Sequence, residues 1–420
     1  MRILIKLPTR SRPVKALAIL KEYMELLADP TRVDWLVNID EDDSTMNTDD
    51  MKENVLSLLP PGRAEVHVAR NTSKIEACNA GMEDRPFDIL LLASDDMHPR
   101  VKGYDTVIRD AMEQHYPDLD GVLFFNDGHR GSNLNTLCIL GRTYYNRFGY
   151  IYHPSYRSFY CSNEFTEEAE RLGRQTYIDQ TIIEHVHPDH GFVCMDASYV
   201  LNRRWLYLDQ CTYYHRKPYA VDLSILMCTL HQRRGIRTRI ERNLRSQIAS
   251  ALPFVVDLCI SEDNGEMTIG EKRNLLVRQA KGRFACFVDD DDNVSPDYIQ
   301  IIRRALEQVP DADVVQMRGA YYVDDCFDRP FFHSLTHQMY WEDAHGFYRP
   351  PNHLNVTRTY IMQTIPFQTS SFGEDTDYAL RLAQSHLLQT EAVIGEDEIL
   401  YHYYYVSDKK TIMDPHLCVL

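Results

Sequence analysis

The sequence predicts an α/β protein made of two doubly wound domains in tandem, because strand and helix patterns alternate in the same order in both halves and acidic runs close the strands at matching places. In the C-terminal half, an apolar strand from Leu223 to Thr229 precedes a second strand ending in Ser261-Glu262-Asp263-Asn264. Gly270, Lys272, Arg273 and Asn274 then open a helix running to Gly282, and a third strand ends in Asp289-Asp290-Asp291-Asp292. In such an order ligands bind beyond the carboxyl ends of the strands. The N-terminal half repeats it. Thr9 follows the strand Arg2 to Leu7 as Thr229 follows Leu223 to Cys228, and Thr9 to Asp42 is 33 positions against 34 from Thr229 to Asp263. Lys74 to Gly81 falls opposite the Lys-Arg-Asn helix. The strand Phe87 to Ala93 ends in Ser94-Asp95-Asp96, with 16 positions from Asn79 to Asp95 against 17 from Asn274 to Asp291. This spacing sets Ala93 opposite Asp289, so the first half keeps an acid pair without the earlier carboxylate. Glu164 precedes a helix as Asp375 does, and His187 trails it as His402 trails Asp375. A repeat this long reads as a duplicated domain. The expected division is 1–216 and 217–420, with the joint between Tyr213 and Val221, where Pro218 and charge interrupt two strand patterns.

Four adjacent carboxylates at a strand end repel one another and require a cation, helix N–H groups or full solvation. A divalent metal such as Mn2+ or Mg2+ takes oxygen ligands and shares them with substrate phosphates. The plain alternative is a solvated acidic turn before the helix that Ser295 and Pro296 begin.

The run Phe287-Val-Asp-Asp-Asp-Asp, the Gly270-x-Lys-Arg-Asn helix start, Gly373-Glu374-Asp375 and Tyr401-His402-Tyr403, in that order, resemble the family 2 glycosyltransferases of the GT-A fold. The resemblance spans roughly residues 220 to 405 and implies two Rossmann-like GT-A domains in tandem. It implies that a sugar moves from a nucleoside diphosphate donor to an acceptor hydroxyl with inversion, in one transfer or two. Donor contacts carried over are Thr229, Asp263 and Lys272, with Asp289 and Asp291 as the DxD pair, Asp292 beside them and His402 as a further metal ligand. Asp375 corresponds to the general base, which must sit within hydrogen-bond reach of the attacking hydroxyl. By the repeat, the first half contributes Thr9 and Asp42 to donor binding, Asp95, Asp96 and His187 to a metal, and Glu164 as base. The blander readings are acidic helix caps for Glu374 and Asp375 and a hydrogen-bonded strand histidine for His402. The alternative organisation keeps only the second half catalytic, with the first half binding the acceptor.

At 420 residues the chain has room for two such cores. With 45 basic against 62 acidic residues, its formal charge of −17 disfavours binding a polyanion over the whole surface. The arginines from Arg233 to Arg245 face either a diphosphate, an anionic acceptor or solvent, while Ile236, Ile240, Leu244 and Ile248 mark the buried side of their helix. Ten cysteines without CxxC spacing read as reduced packing residues. His185, His187 and His190 either hold a metal or end a strand. No stretch has the length of a membrane span and the first residues form a strand, which predicts a soluble cytoplasmic protein. Leu417-Cys418-Val419-Leu420 is not a prenylation box. A nucleotidyltransferase would need a glycine-rich phosphate loop where Leu7-Pro8-Thr9-Arg10 stands. The acceptor is left open among glycan, small molecule, protein and a hydroxymethylated nucleobase in DNA.

Overall fold

The computed structural model describes residues 1–187 and 196–407. Two compact units emerge, Met1–Lys217 and Pro218–Leu420. His190, Cys194 and the Cys418 tail lie outside the described residues.

In the first unit the strands are β1 (Ile3–Thr9), β2 (Val33–Asp40), β3 (Ala64–Ala69), β4 (Ile89–Leu92), β5 (Met97–Pro99), β6 (Val122–Phe125), β7 (Ile139–Gly141), β8 (Gln175–Ile178) and β9 (Ile183–His185). Among the described residues, seven of them form one sheet in the order β3-β2-β1-β4-β7-β6-β8, and β5 pairs with β9. β7 alone runs antiparallel to its neighbours β4 and β6. Runs such as Ile89–Leu92 are buried on both faces, as expected for strands covered by helices on each side.

The second unit holds β10 (Val221–Leu230), β11 (Val256–Asp263), β12 (Gly282–Phe287), β13 (Asn293–Val294), β14 (Val314–Val315), β15 (Met317–Val323), β16 (Cys326–His333), β17 (Trp341–Asp343), β18 (Gly346–Arg349), β19 (Thr357–Arg358), β20 (Glu391–Ala392) and β21 (Tyr401–Tyr405). Its first sheet has the order β11-β10-β12-β19-β14-β20. This is the order of the first unit without the edge strand β3. The senses agree too, since β19 is antiparallel to β12 and β14 while β14 and β20 are parallel. A second sheet, β13-β21-β15-β16-β18-β17, carries most of the aromatic residues of this unit. The segment before Pro218, read from sequence as a strand, is the helix Leu206–Arg216. Its inward groups are Asp209 and Tyr213, four apart, a helical spacing that the aromatic content obscured.

Lys6 breaks the apolar pattern of β1. It is fully buried, and its Nζ donates to Asn38 Oδ1 at 2.6 Å and to the carbonyl of Ala80 at the end of helix Lys74–Asn79. Burial lowers its pKa from 10.5 to about 7. Between those values the unfolded chain binds the extra proton, so the stability of this unit rises with pH from about 7 towards 10.5. Lys6→Met is expected to flatten that slope, worth on the order of a few kcal/mol. Denaturant unfolding at the two ends of the window measures it, and an unchanged slope in the variant would contradict the assignment.

Candidate active site

β12 delivers the acid run, and each carboxylate meets its own partner. Asp289 lies 3.3 Å from the Arg273 guanidinium and 3.4 Å from His353 Nε2, while its backbone N–H donates to the Tyr401 hydroxyl at 3.0 Å. Asp290 accepts from the Thr229 hydroxyl at 2.6 Å and pairs with Arg233 at 2.9 Å. Asp291 pairs with the same guanidinium at 2.7 Å, and Asp292 accepts from the Tyr401 hydroxyl and the Tyr404 N–H, both at 2.9 Å. Burial opposes the charge on Asp289, but Arg273 and His353 hold its carboxyl well below the usual range. Burial and the neighbouring Asp289 and Asp291 push Asp292 the other way. The repulsion from which a metal was expected is thus already relieved in part by the guanidinium groups of Arg233 and Arg273. Among the described residues, no group of three or more His, Cys, Asp or Glu side chains is arranged to hold a metal. The donor set still suits Mn2+ or Mg2+. Asp289 and Asp291 keep 28% and 42% of their side chains exposed, and two carboxylates suffice where donor phosphates and water complete the shell.

His402 departs from its expected place. Its Nδ1 lies 3.2 Å from the Tyr322 hydroxyl. Alternation along β21 turns it away from the face on which Tyr401 and Tyr403 meet the acid run.

The helix Ile269–Gln279 is the clasp of the site. Gly270 is required by contact, since a Cβ there would lie 1.7 Å from the Gln368 carbonyl oxygen. Lys272 donates to the Thr229 carbonyl at 2.8 Å and pairs with Asp263, which also accepts from the N–H groups of Gly265 and Met267. Burial works against the charge of Asp263, and Lys272 with those N–H groups keeps its carboxyl below the ordinary value. Arg273 is buried over the Phe287 ring and bridges Asp289 and Glu374, the latter at 3.2 Å. Asn274 both donates to and accepts from the Phe367 backbone at 2.8 Å. These contacts tie the acid run to the loop before helix Glu374–Ser385. Gly373, at φ +76°, turns the chain into that helix. Asp375 stands in its first turn, half-buried, accepting from the Thr376 N–H at 2.7 Å.

Backbone pairing aligns the first unit differently from sequence spacing. Ala93 N–H donates to the Lys6 carbonyl as Val288 N–H does to Leu226, and Met97 N–H returns to Ser94 as Asp292 N–H does to Asp289. Ser94 is therefore the counterpart of Asp289, Asp95 of Asp290, Asp96 of Asp291 and Met97 of Asp292. On β1 and β10 the register pairs Thr9 with Ile39 and Leu230 with Asp263. The counterpart of Asp263 is thus Asp40, bound by Arg10 at 2.8 Å, and Asp42 lies beyond it with 70% of its side chain exposed. Thr9 is buried with its hydroxyl unpaired.

The clasp is rebuilt in apolar terms. Asn79 binds the backbone of Ile151 and Tyr152 as Asn274 binds Phe367, which sets Ala77 and Cys78 opposite Lys272 and Arg273. Helix Cys161–Arg171 begins after Tyr160 at φ +57°, so Cys161 and Ser162 take the places of Glu374 and Asp375. Glu164 belongs two residues deeper. It accepts from the Tyr156 hydroxyl at 2.6 Å and pairs with Arg216 at 2.8 Å. Where the second unit has the charged set Asp289, Arg273 and Glu374, the first has Ser94, Cys78 and Cys161, none of them charged.

The acid pair itself is enclosed. Arg12 meets Asp95 at 2.6 Å and Asp196 at 2.8 Å. Asp96 accepts from the Tyr199 hydroxyl at 2.7 Å and lies 3.7 Å from His185 Nε2. Burial opposes ionisation of Asp96, and His185 holds its carboxyl well below the usual range. His187 packs its ring on His185 and Tyr199, with centroids 5.5 and 5.1 Å away. Register equates His185 with Tyr403 and leaves Glu184 opposite His402. Sequence reasoning missed Arg233, Arg12, His353, Tyr401 and Asp40. Only Arg233 and Tyr401 gave a signal, as members of stretches singled out for other reasons.

Residues 258–364 match the sequence model of "Glycosyl transferase family 2". That match falls on part of the second unit, whose doubly wound sheet and acid run have a GT-A-like α/β fold. Solved structures with which the chain aligns include TarS of S. aureus, at 14% identity over 44% of this chain and 37% of that one, TM-score 0.30. A shorter form of it, residues 1–349, was solved in complex with UDP-GlcNAc and aligns at 14% identity over 44% and 59%, TM-score 0.30. The mannosyltransferase PcManGT from Pyrobaculum calidifontis, in complex with GDP-Man and Mn2+, aligns at 11% identity over 51% and 63%, TM-score 0.40. The chain thus spans from 37% to 63% of the length of these proteins. No curated protein matches it. Among the described residues no helix is long and apolar enough to cross a membrane.

Proposed function

We propose that the C-terminal unit transfers a sugar from a nucleoside diphosphate donor to an acceptor hydroxyl with inversion, as the one transfer centre of the chain. The observation that carries this reading is the buried Arg273, which joins Asp289 of the acid run to Glu374 beside Asp375. Donor and base ends belong to one centre. Asp263, held by Lys272, faces the nucleoside; Thr229, through Asp290, braces the acid run. Asp289 and Asp291 would hold Mn2+ or Mg2+, which supplies Lewis-acid stabilisation of the departing diphosphate. Asp375 accepts the proton of the acceptor hydroxyl as its oxygen bonds to the anomeric carbon. The bond from that carbon to the diphosphate oxygen breaks on the opposite face. Such chemistry on nucleotide sugars accords with the cytoplasmic location expected from the sequence.

Nucleoside diphosphate affinity is expected to weaken on the order of ten-fold when EDTA replaces Mn2+, and Asp291→Ala should remove most of the difference. Calorimetric titration in both buffers checks this. Equal affinities in the unmodified protein would contradict the metal's role.

A second transfer in the N-terminal unit draws support from Asp96 beside His185. Against it, Ser162 occupies the base position and Glu164 is engaged by Arg216 and Tyr156. The single-centre reading is preferred on that ground.

A further inference from the structure

A ring of side chains encloses the space between the acid run and Asp375. Burial raises the Tyr403 phenol, and the charges of Asp292, Asp289 and Asp291 add to the effect. Tyr403 stacks on Tyr321 across β21 and β15, with centroids 5.4 Å apart and planes 11° from parallel. Tyr321 meets Phe347 of β18 at 5.0 Å. Arg349, two residues along the same face of β18, lies 5.7 Å from the Phe347 ring and 5.1 Å from that of Tyr340. Tyr340 closes the circuit, hydrogen-bonding with Thr376 and Asn352 and sensing the charge of Asp375.

Arg349 is the anomaly in this ring. Its neighbour Arg329, 4.2 Å from the centre of the same Phe347 ring, pairs with Asp328 at 3.1 Å and Glu342 at 3.6 Å. Arg349 makes no such ion pair among the described residues, in contrast to Arg233, Arg237 and Arg273 of the same unit. It is half-buried between aromatic faces, which fix a guanidinium while leaving its N–H groups unused. Stacked tyrosines give a flat amphipathic floor that suits a sugar or another ring. A half-buried cation held on the Tyr340 ring, whose phenol also feels the charge of Asp375, complements an anion carried by the molecule whose hydroxyl Asp375 deprotonates.

Resting on the reading that Asp375 is the base, we infer that Tyr321, Tyr403 and Arg349 form the acceptor subsite, and that the acceptor carries a phosphate or carboxylate read by Arg349. A guanidinium pairs with either through two parallel N–H bonds, so the shared chemistry is an oxyanion next to a ring.

The test is equilibrium binding to the full chain with a nucleoside diphosphate and Mn2+ saturating the donor end. The probes are methyl glucoside, glucose 6-phosphate and glucuronate. Wild type is expected to bind at least one anionic probe on the order of ten-fold more tightly than methyl glucoside. The better anionic probe tells phosphate from carboxylate. Arg349→Gln should erase the preference, and Arg349→Lys should retain part of it as a point charge. Equal affinities for the three probes in wild type would overturn the proposal, and so would a preference that survives in Arg349→Gln. Donor hydrolysis by the same preparations is scored separately. Its loss in wild type would count against the transferase reading, whereas the binding comparison decides the role of Arg349 with no turnover required.

Discussion

Asp375→Asn is expected to lower glycosyl transfer by a factor on the order of 100 or more while donor affinity stays within about two-fold. Asparagine keeps the size and the acceptor oxygen for the Thr376 N–H, so the helix start is preserved. What it loses is the ability to take a proton. In the first turn of this helix the other carboxylates are engaged, Glu374 with Arg273 and Asp377 with Arg381. Steady-state rates and nucleoside diphosphate titrations on the same preparation give both numbers. A variant that binds donor far more weakly yet keeps its turnover number would make Asp375 a binding residue and remove the proposed base.

Arg273→Met is the second large effect. Methionine fills the space between Phe287 and Phe367, but Asp289 and Glu374 lose the cation between them. Removing one partner from a buried ion pair costs about 3–5 kcal/mol. Transfer should fall as well, because Glu374 no longer anchors the loop that carries Asp375. The pH dependence has a defined sign. Asp289 is held well below its ordinary 3.8 by Arg273 and His353, so its contribution is full above that value and fades as pH falls through the folded-state pKa. The deficit of the variant should therefore be largest near neutral pH and shrink on acidification. Urea unfolding at pH 7 and at pH 3 measures it, and a deficit that grows in acid would contradict the ion-pair account.

The second unit was largely legible in the sequence because its landmarks are contiguous. Gly270, Lys272, Arg273 and Asn274 each perform a separate contact within two turns of one helix, and the four aspartates announce a strand end. The first unit was misread by one or two positions wherever a spacing ran through a loop. Counting from Thr9 led to Asp42, whereas the register pairs Thr9 with Ile39 as Thr229 with Glu262, which sets Asp40 opposite Asp263. Counting to the acid pair set Ala93 opposite Asp289 because the turn after β4 was not visible. Glu164 was taken for the base position because the residue that turns the chain into its helix is Tyr160 in a left-handed conformation, where the second unit uses Gly373. The pairings of Arg233 and Arg12 were hidden for another reason. Their partners lie across the sheet's carboxyl edge, 57 and 58 positions away for Asp290 and Asp291 and 83 for Asp95. The same distance hid that Ser94, Cys78 and Cys161 stand where the second unit has Asp289, Arg273 and Glu374, the difference on which the proposed single centre rests.

The most direct measurement of the one-centre claim is the mass of the product made by Glu164→Gln. The full chain and this variant are each given the same donor and acceptor, and the products are weighed by mass spectrometry at matched times. A single centre in the C-terminal unit predicts the same added mass from both proteins and rates within about two-fold, since Glu164 braces Arg216 and Tyr156 and meets no substrate. A product short by one sugar, or a rate reduced on the order of 100-fold with the variant still folded, would make Glu164 a second base and contradict the account.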